Sequence, residues 1–157
     1  MELKGEEYIA ASPDAVWRTL NDTALLIDCI PGCEKLERVS EHLIEATILV
    51  HLSLIKLRFH GRLILSNLNP PYSYTIAGEG EGSVSGLATG KTDISLVADG
   101  DGTILSYVMY GSAEGKIAKL GSALLAGVAR KIADKFFANV SKVASTLPNR
   151  NDANCPI

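Results

Sequence analysis

A chain of 157 residues, 46% hydrophobic and 21% charged, suffices for one domain with a core and room for an internal cavity. Fifteen Lys plus Arg against eighteen Asp plus Glu leave a net charge of -3, which argues against a general polyanion or nucleic-acid binder. The N-terminus lacks a basic region followed by an apolar run, and no stretch approaches the roughly 18 apolar residues of a membrane span, so a soluble, cytoplasmic protein is expected.

Residues 3 to 11 alternate as a first strand, and Ser12-Pro13-Asp14 then opens a helix. Ser12 suits the N-cap, Pro13 the first helical position and Asp14 the positive end of the helix dipole. Val16, Trp17 and Leu20 form its expected inner face. Asn21-Asp22-Thr23 can restart a second short helix carrying Leu25 and Leu26, which Pro31-Gly32 ends in a turn. Cys29 and Cys33 flank that turn at a spacing that is neither the CxxC of redox motifs nor half of a zinc site, and read as packing or surface thiols. Cys155 lies in a polar segment and reads as exposed.

From Glu34 to Gly111 the hydrophobic period is two. Ile44, Ala46, Ile48, Val50 and Leu52 share one face, and after Ser53-Leu54 the parity flips to Ile55, Leu57, Phe59, Leu63 and Leu65, as in two antiparallel strands joined by a tight turn. Lys56, Arg58, His60 and Arg62 form the opposite, solvated row. Asn67 to Pro71 is a turn, Tyr72 to Gly80 a strand, Gly82 to Val97 another, Asp99-Gly100-Asp101-Gly102 a hairpin loop and Thr103 to Gly111 the last strand. Such short connections require antiparallel neighbours.

Ile117 to Val143 reads as one long helix with a stripe of Ile117, Leu120, Leu124, Val128, Ile132, Phe136, Val140 and Val143. The fold class is therefore α+β: a curved antiparallel sheet of about seven strands wrapped around a long C-terminal helix, with two short helices after strand one. Residues 1–146 form a single domain, and the aperiodic, polar residues 147–157 a disordered tail.

Chemical motifs fail on context. Gly78-Glu79-Gly80-Glu81-Gly82 precedes a strand pattern rather than a helix and carries carboxylates that would repel phosphate. Gly111 to Ile117 is one residue short of a Walker A loop and has Ile where Ser or Thr should bind magnesium. His42, His51 and His60 lack a ligand pattern, and no metal site and no catalytic residues are expected.

The helix opening Ser12-Pro13-Asp14-Ala15-Val16-Trp17, the Cys29-Ile30-Pro31-Gly32-Cys33 turn, Ile55 to Gly61, Asn69 to Tyr74, Gly80-Glu81-Gly82, Gly86 to Gly90 and Gly115-Lys116-Ile117-Ala118-Lys119-Leu120-Gly121 together resemble the G-subunit family of carbon monoxide dehydrogenase. The resemblance runs in order from about residue 1 to 145. It implies membership of the START-related, birch-pollen-allergen-like helix-grip superfamily. It also implies a non-enzymatic accessory to a carbon monoxide dehydrogenase-type molybdenum hydroxylase, with proposed roles in recruiting that enzyme to the membrane and carrying a respiratory quinone. Members that dock to membranes have a long Pro-rich extension ending in an amphipathic helix. This sequence ends with Asn149 to Ile157, so membrane contact through such a tail is not expected.

The leading expectation is a binding protein for a hydrophobic small molecule, an isoprenoid quinone or lipid-like relative, held between sheet and helix, with no tightly required cofactor. Small residues Gly121, Ala123, Ala126 and Gly127 would keep helix and sheet from closing completely. Trp17, Leu57, Phe59, Leu63, Tyr74, Tyr107, Met109, Leu120, Leu124 and Val128 are the candidate cavity residues, with the Tyr74 and Tyr107 hydroxyls as candidate donors to quinone carbonyls. The alternatives are an assembly or recruitment factor without ligand and, third, a cyclase- or dehydratase-like enzyme, which would need ionisable groups converging in the cavity.

Overall fold

The computed structural model describes residues 1–52, 54–82 and 86–148. Seven strands, β1 (Glu2–Ile9), β2 (Cys33–Ser40), β3 (Leu43–Leu52), β4 (Ile55–Asn69), β5 (Ser73–Gly82), β6 (Gly86–Asp99) and β7 (Gly102–Glu114), form one sheet in the order β1-β7-β6-β5-β4-β3-β2. Each neighbouring pair is antiparallel. Short hairpins make β2 to β7 a meander, and β1 returns to pair with β7.

Leu52 opposite Ile55 fixes the tight turn that the parity change predicts. Ile44, Ala46 and Leu52 on β3 and Phe59 and Leu65 on β4 are buried, while Lys56, Arg58, His60 and Arg62 face solvent. Outside, Arg58 grips the Glu34 carboxylate of β2 through Nε at 2.7 Å and Nη2 at 3.1 Å, which holds that carboxyl below its usual range.

After β1 come α1 (Pro13–Asn21) and α2 (Thr23–Leu26). The Ser12 hydroxyl accepts a hydrogen bond from the Ala15 N–H at 3.2 Å, and Asp22 caps α2 through the Ala24 N–H at 3.0 Å. Val16 and Leu20 are buried as expected, together with Ala15 and Thr19; Trp17 is only partly buried. The turn after α2 needs Gly32 at φ 75°, where a β-carbon would collide with the Leu49 carbonyl of β3.

The C-terminal helix corrects the expected stripe. Ile117–Leu120 is a single 3-10 turn, Gly121 at φ 90° breaks the path, and α3 (Ser122–Thr146) starts only after it. Leu120, before that break, and Leu124, in the first turn of α3, are 37% and 44% exposed. Leu125, Val128, Ala129 and Ile132 face the sheet in the first half, and Phe136, Phe137, Val140 and Ala144 meet the core in the second.

Gly121, Ala123 and Gly127 lie on the exposed side, so they do not hold the helix off the sheet. A β-carbon at Gly127 would have nothing within 4 Å. Gly127→Ala should therefore raise stability by about 0.5–1 kcal/mol through the restricted unfolded chain, read as a higher urea midpoint. Leu147 packs against the core, which moves the start of the predicted tail beyond it; residues 149–157 of that tail, Cys155 included, lie outside the described residues.

Candidate functional site

The two halves of α3 meet the sheet differently because α1 and α2 fill only one end of the grip. The second half packs on α1, and Asn139 Nδ2 donates to the Cys29 carbonyl at 3.0 Å. At this closed end Trp17 meets Tyr74 edge-on, ring centroids 5.0 Å apart, and Phe137 stacks on Tyr107 at 4.7 Å. The first half has no such plug. A cavity of about 520 Å³ remains there between α3 and the sheet, within the roughly 300–1,000 Å³ of small-molecule sites.

Ile48, Val50 and Leu52 of β3 and Phe59 of β4 form one wall, and Met109 and Ala113 of β7 with Met1 form another. The floor is made of small residues, Gly80 on β5, Ala88 and Gly90 on β6 and Gly111 on β7. Ile117, Ala118, Leu125, Val128, Ala129 and Ile132 close the top. Among the described residues no lining side chain is ionisable. Of the polar ones, the Thr89 and Ser112 hydroxyls bond each other at 2.7 Å. Such a lining desolvates an apolar guest and offers little acid-base chemistry.

The sequence-derived candidates divide. Phe59, Met109 and Val128 line the cavity. Leu57 is half-buried and pairs with the cavity residue Val50, while Leu63 packs over Gly78 in the sheet. Trp17, Tyr74 and Tyr107 belong to the closed end, and Leu120 and Leu124, on either side of Gly121 at the start of the helix, are exposed.

The two tyrosines have different surroundings. Tyr74 is 2% exposed, its hydroxyl has no hydrogen-bond partner among the described residues, and burial pushes its ionisation well above the ordinary range. The Tyr107 hydroxyl accepts a hydrogen bond from Arg130 Nη1 at 2.7 Å, and Arg130 Nη2 donates to the Lys4 carbonyl at 3.3 Å. Gly5 makes this possible, since a β-carbon there would sit 2.8 Å from the tyrosine oxygen. The hydroxyl keeps its own proton to donate.

The missed residues carried two signals. Ile48 and Val50 lie on the face that alternation assigns inward, and the glycine-rich segments that read only as bent strands supply the open floor. Elsewhere, burial pushes the Cys29 thiol up to about 11, and Cys33 is raised by burial as well, so neither is an activated nucleophile. Among the described residues no group of three or more His, Cys, Asp or Glu could hold a metal ion.

The family model for CoxG, the G-subunit of carbon monoxide dehydrogenase, matches residues 5–145. The chain belongs to the CoxG family. No curated protein matches it. Among solved structures, a conserved protein from Geobacillus kaustophilus is similar at 27% identity and a TM-score of 0.86, over 92% of this chain and 95% of that one. A START superfamily protein from Mycobacterium smegmatis aligns at 10% identity and a TM-score of 0.71, over 94% and 99%. The Zhui aromatase/cyclase from Streptomyces sp. R1128 does so at 17% identity and a TM-score of 0.64, over 92% and 93%. These two distant likenesses show the helix-grip fold, which the CoxG chain shares with a START superfamily protein and an aromatase/cyclase.

Proposed function

We propose that this CoxG-family chain is a non-catalytic carrier for a hydrophobic small molecule, an isoprenoid quinone or close relative, and serves a carbon monoxide dehydrogenase-type molybdenum hydroxylase. The observation that carries the reading is the cavity under the first half of α3, whose walls are aliphatic and whose floor lacks side-chain bulk. A planar ring can lie on that floor between helix and sheet, and an isoprenoid tail finds only apolar contacts.

Tyr107 lies two strand positions from the cavity residue Met109 on the same face, and Arg130 follows Ala129 on α3. Their hydroxyl and guanidinium supply donors for a quinone carbonyl at the inner end. Tyr107→Phe should weaken quinone affinity by about threefold to tenfold, the worth of one neutral hydrogen bond, in a titration followed by quenching of Trp17. Unchanged affinity would remove Tyr107 from the site.

The cargo is tested by thermal unfolding of delipidated protein against quinones, fatty acids and sterol-like ligands. A quinone at about one hundred times its dissociation constant should add about 2.7 kcal/mol. No shift with any ligand would refute the carrier and leave a ligand-free assembly factor for the dehydrogenase.

A further inference from the structure

The solvent face of the sheet changes character toward its centre. On β3 and β4 it carries long charged side chains, Glu45, Lys56, Arg58 and Arg62. On β5, β6 and β7 the outward positions become Ser73, Thr75, Asp93, Ser95 and Ser106, which the register sets in two adjacent rows: Thr75 opposite Asp93, and Ser73, Ser95 and Ser106 opposite one another. These short side chains leave an open trough of about 310 Å³. It lies on the other side of the sheet from the cavity under α3, and the two share no lining residue.

The polar groups of the trough are already fixed. The β4–β5 register slips between Ser66 and Asn69, and Asn67 stands there at φ 53°, in the left-handed region. From that position its Nδ2 donates to Thr75 Oγ1 at 3.2 Å, and Thr75 Oγ1 donates to Asp93 Oδ1 at 2.8 Å. Thr75 is 6% exposed although it stands on the solvent side. This chain uses up donors and leaves acceptors, since Asn67 Oδ1 and Asp93 Oδ2 take no hydrogen bond among the described residues. Nor does any described Lys, Arg or His come within 4.0 Å of the Asp93 carboxylate. Exposed apolar side chains flank the trough on both sides, Ile64 and Tyr110 in the row of Lys91, and Tyr8 and Val97 in the row of Ile104.

We infer that the trough is an arginine socket in a protein-docking face: a partner protein seats one arginine in it, the guanidinium against the Asp93 carboxylate and the Asn67 side-chain oxygen, while neighbouring side chains of the partner rest on Ile64, Tyr110 and Val97. A guanidinium has only donors, in a planar fork, and so complements the acceptors that the Asn67–Thr75–Asp93 chain leaves free. An open trough covers one side of its occupant, whereas sites for free small molecules enclose most of theirs; an arginine anchored in a surrounding interface has its other side covered by the partner. Among the nearby charges, Glu6 opposite Ser106 favours the cation, Lys91 opposes it, and Lys4 is matched by Glu2 at 4.0 Å. The socket does not depend on the carrier role, because it faces away from the cargo cavity.

Heteronuclear NMR of the 157-residue chain reads the socket residue by residue. The capped peptide Leu-Ser-Arg-Ser-Leu should shift the amides of Thr75, Asp93 and Ser95, and bind at least about tenfold more tightly than the same peptide with citrulline in place of arginine. Asp93→Asn keeps an acceptor for Thr75 and removes the charge; it should lose at least about tenfold in peptide affinity with its melting temperature unchanged. Lys91→Ala should bind the peptide at least as tightly as the parent does. Tyr110→Ser should weaken the peptide and leave the weaker binding of free argininamide unchanged. Equal binding of the citrulline peptide, an unaffected Asp93→Asn variant, argininamide bound as tightly as the peptide, or the same amides shifting with protein concentration alone, as a second copy in the socket requires, would each overturn the inference.

Discussion

Phe137→Ala should cost about 3–5 kcal/mol of stability, whereas Leu124→Ala should cost no more than about 0.5 kcal/mol. Phe137 is 7% exposed, stacks on Tyr107 and meets Phe136 edge-on at 5.1 Å, so its removal opens a hole where α1, α3 and the sheet converge. Leu124 is 44% exposed and gives up little apolar burial. Urea unfolding of both variants decides between two helix phases. A stripe continuous from Ile117 makes Leu124 core and leaves Phe137 at its margin; the observed burial reverses their importance. Equal costs would contradict the structure's phase.

That contrast also marks where the sequence is legible. Parity in β3 and β4 identifies the hairpin because a strand buried on one face repeats every two residues, and the Ser12 cap places α1 to the residue. Val128, Ile132, Phe136, Val140 and Val143 lie on the helix's inner side, as their spacing requires. The departure is confined to Leu120, in the 3-10 turn before Gly121, and Leu124, in the first turn of α3 after it.

The candidate site is less legible than the fold. Period and hydropathy identify which residues face inward, but whether an inward residue packs or lines a void depends on what opposes it. Trp17 and Tyr74 meet each other at the closed end, while Phe59 and Met109, equally apolar, face the unplugged half of α3. The void itself comes from residues with almost no side chain, Gly80, Ala88 and Gly90, which hydropathy patterning gives little weight.

Ala88→Trp should abolish ligand binding while the fold is retained. Ala88 sits opposite Gly80 in the β5–β6 pairing, on the cavity floor, and the space above it accommodates an indole without displacing core side chains. The parent's stabilisation of about 2.7 kcal/mol at one hundred times the dissociation constant should vanish in the variant, while its ligand-free stability stays within about 1 kcal/mol of the parent. A variant that folds and still shows the full ligand shift would place the guest elsewhere.

Native mass spectrometry of the delipidated chain, incubated with a short-chain isoprenoid quinone, tests most directly whether the space under α3 is a cargo site. One quinone bound per parent chain and none on Ala88→Trp is the expected result. A parent chain that stays unliganded, or equal loading of parent and variant, would contradict it.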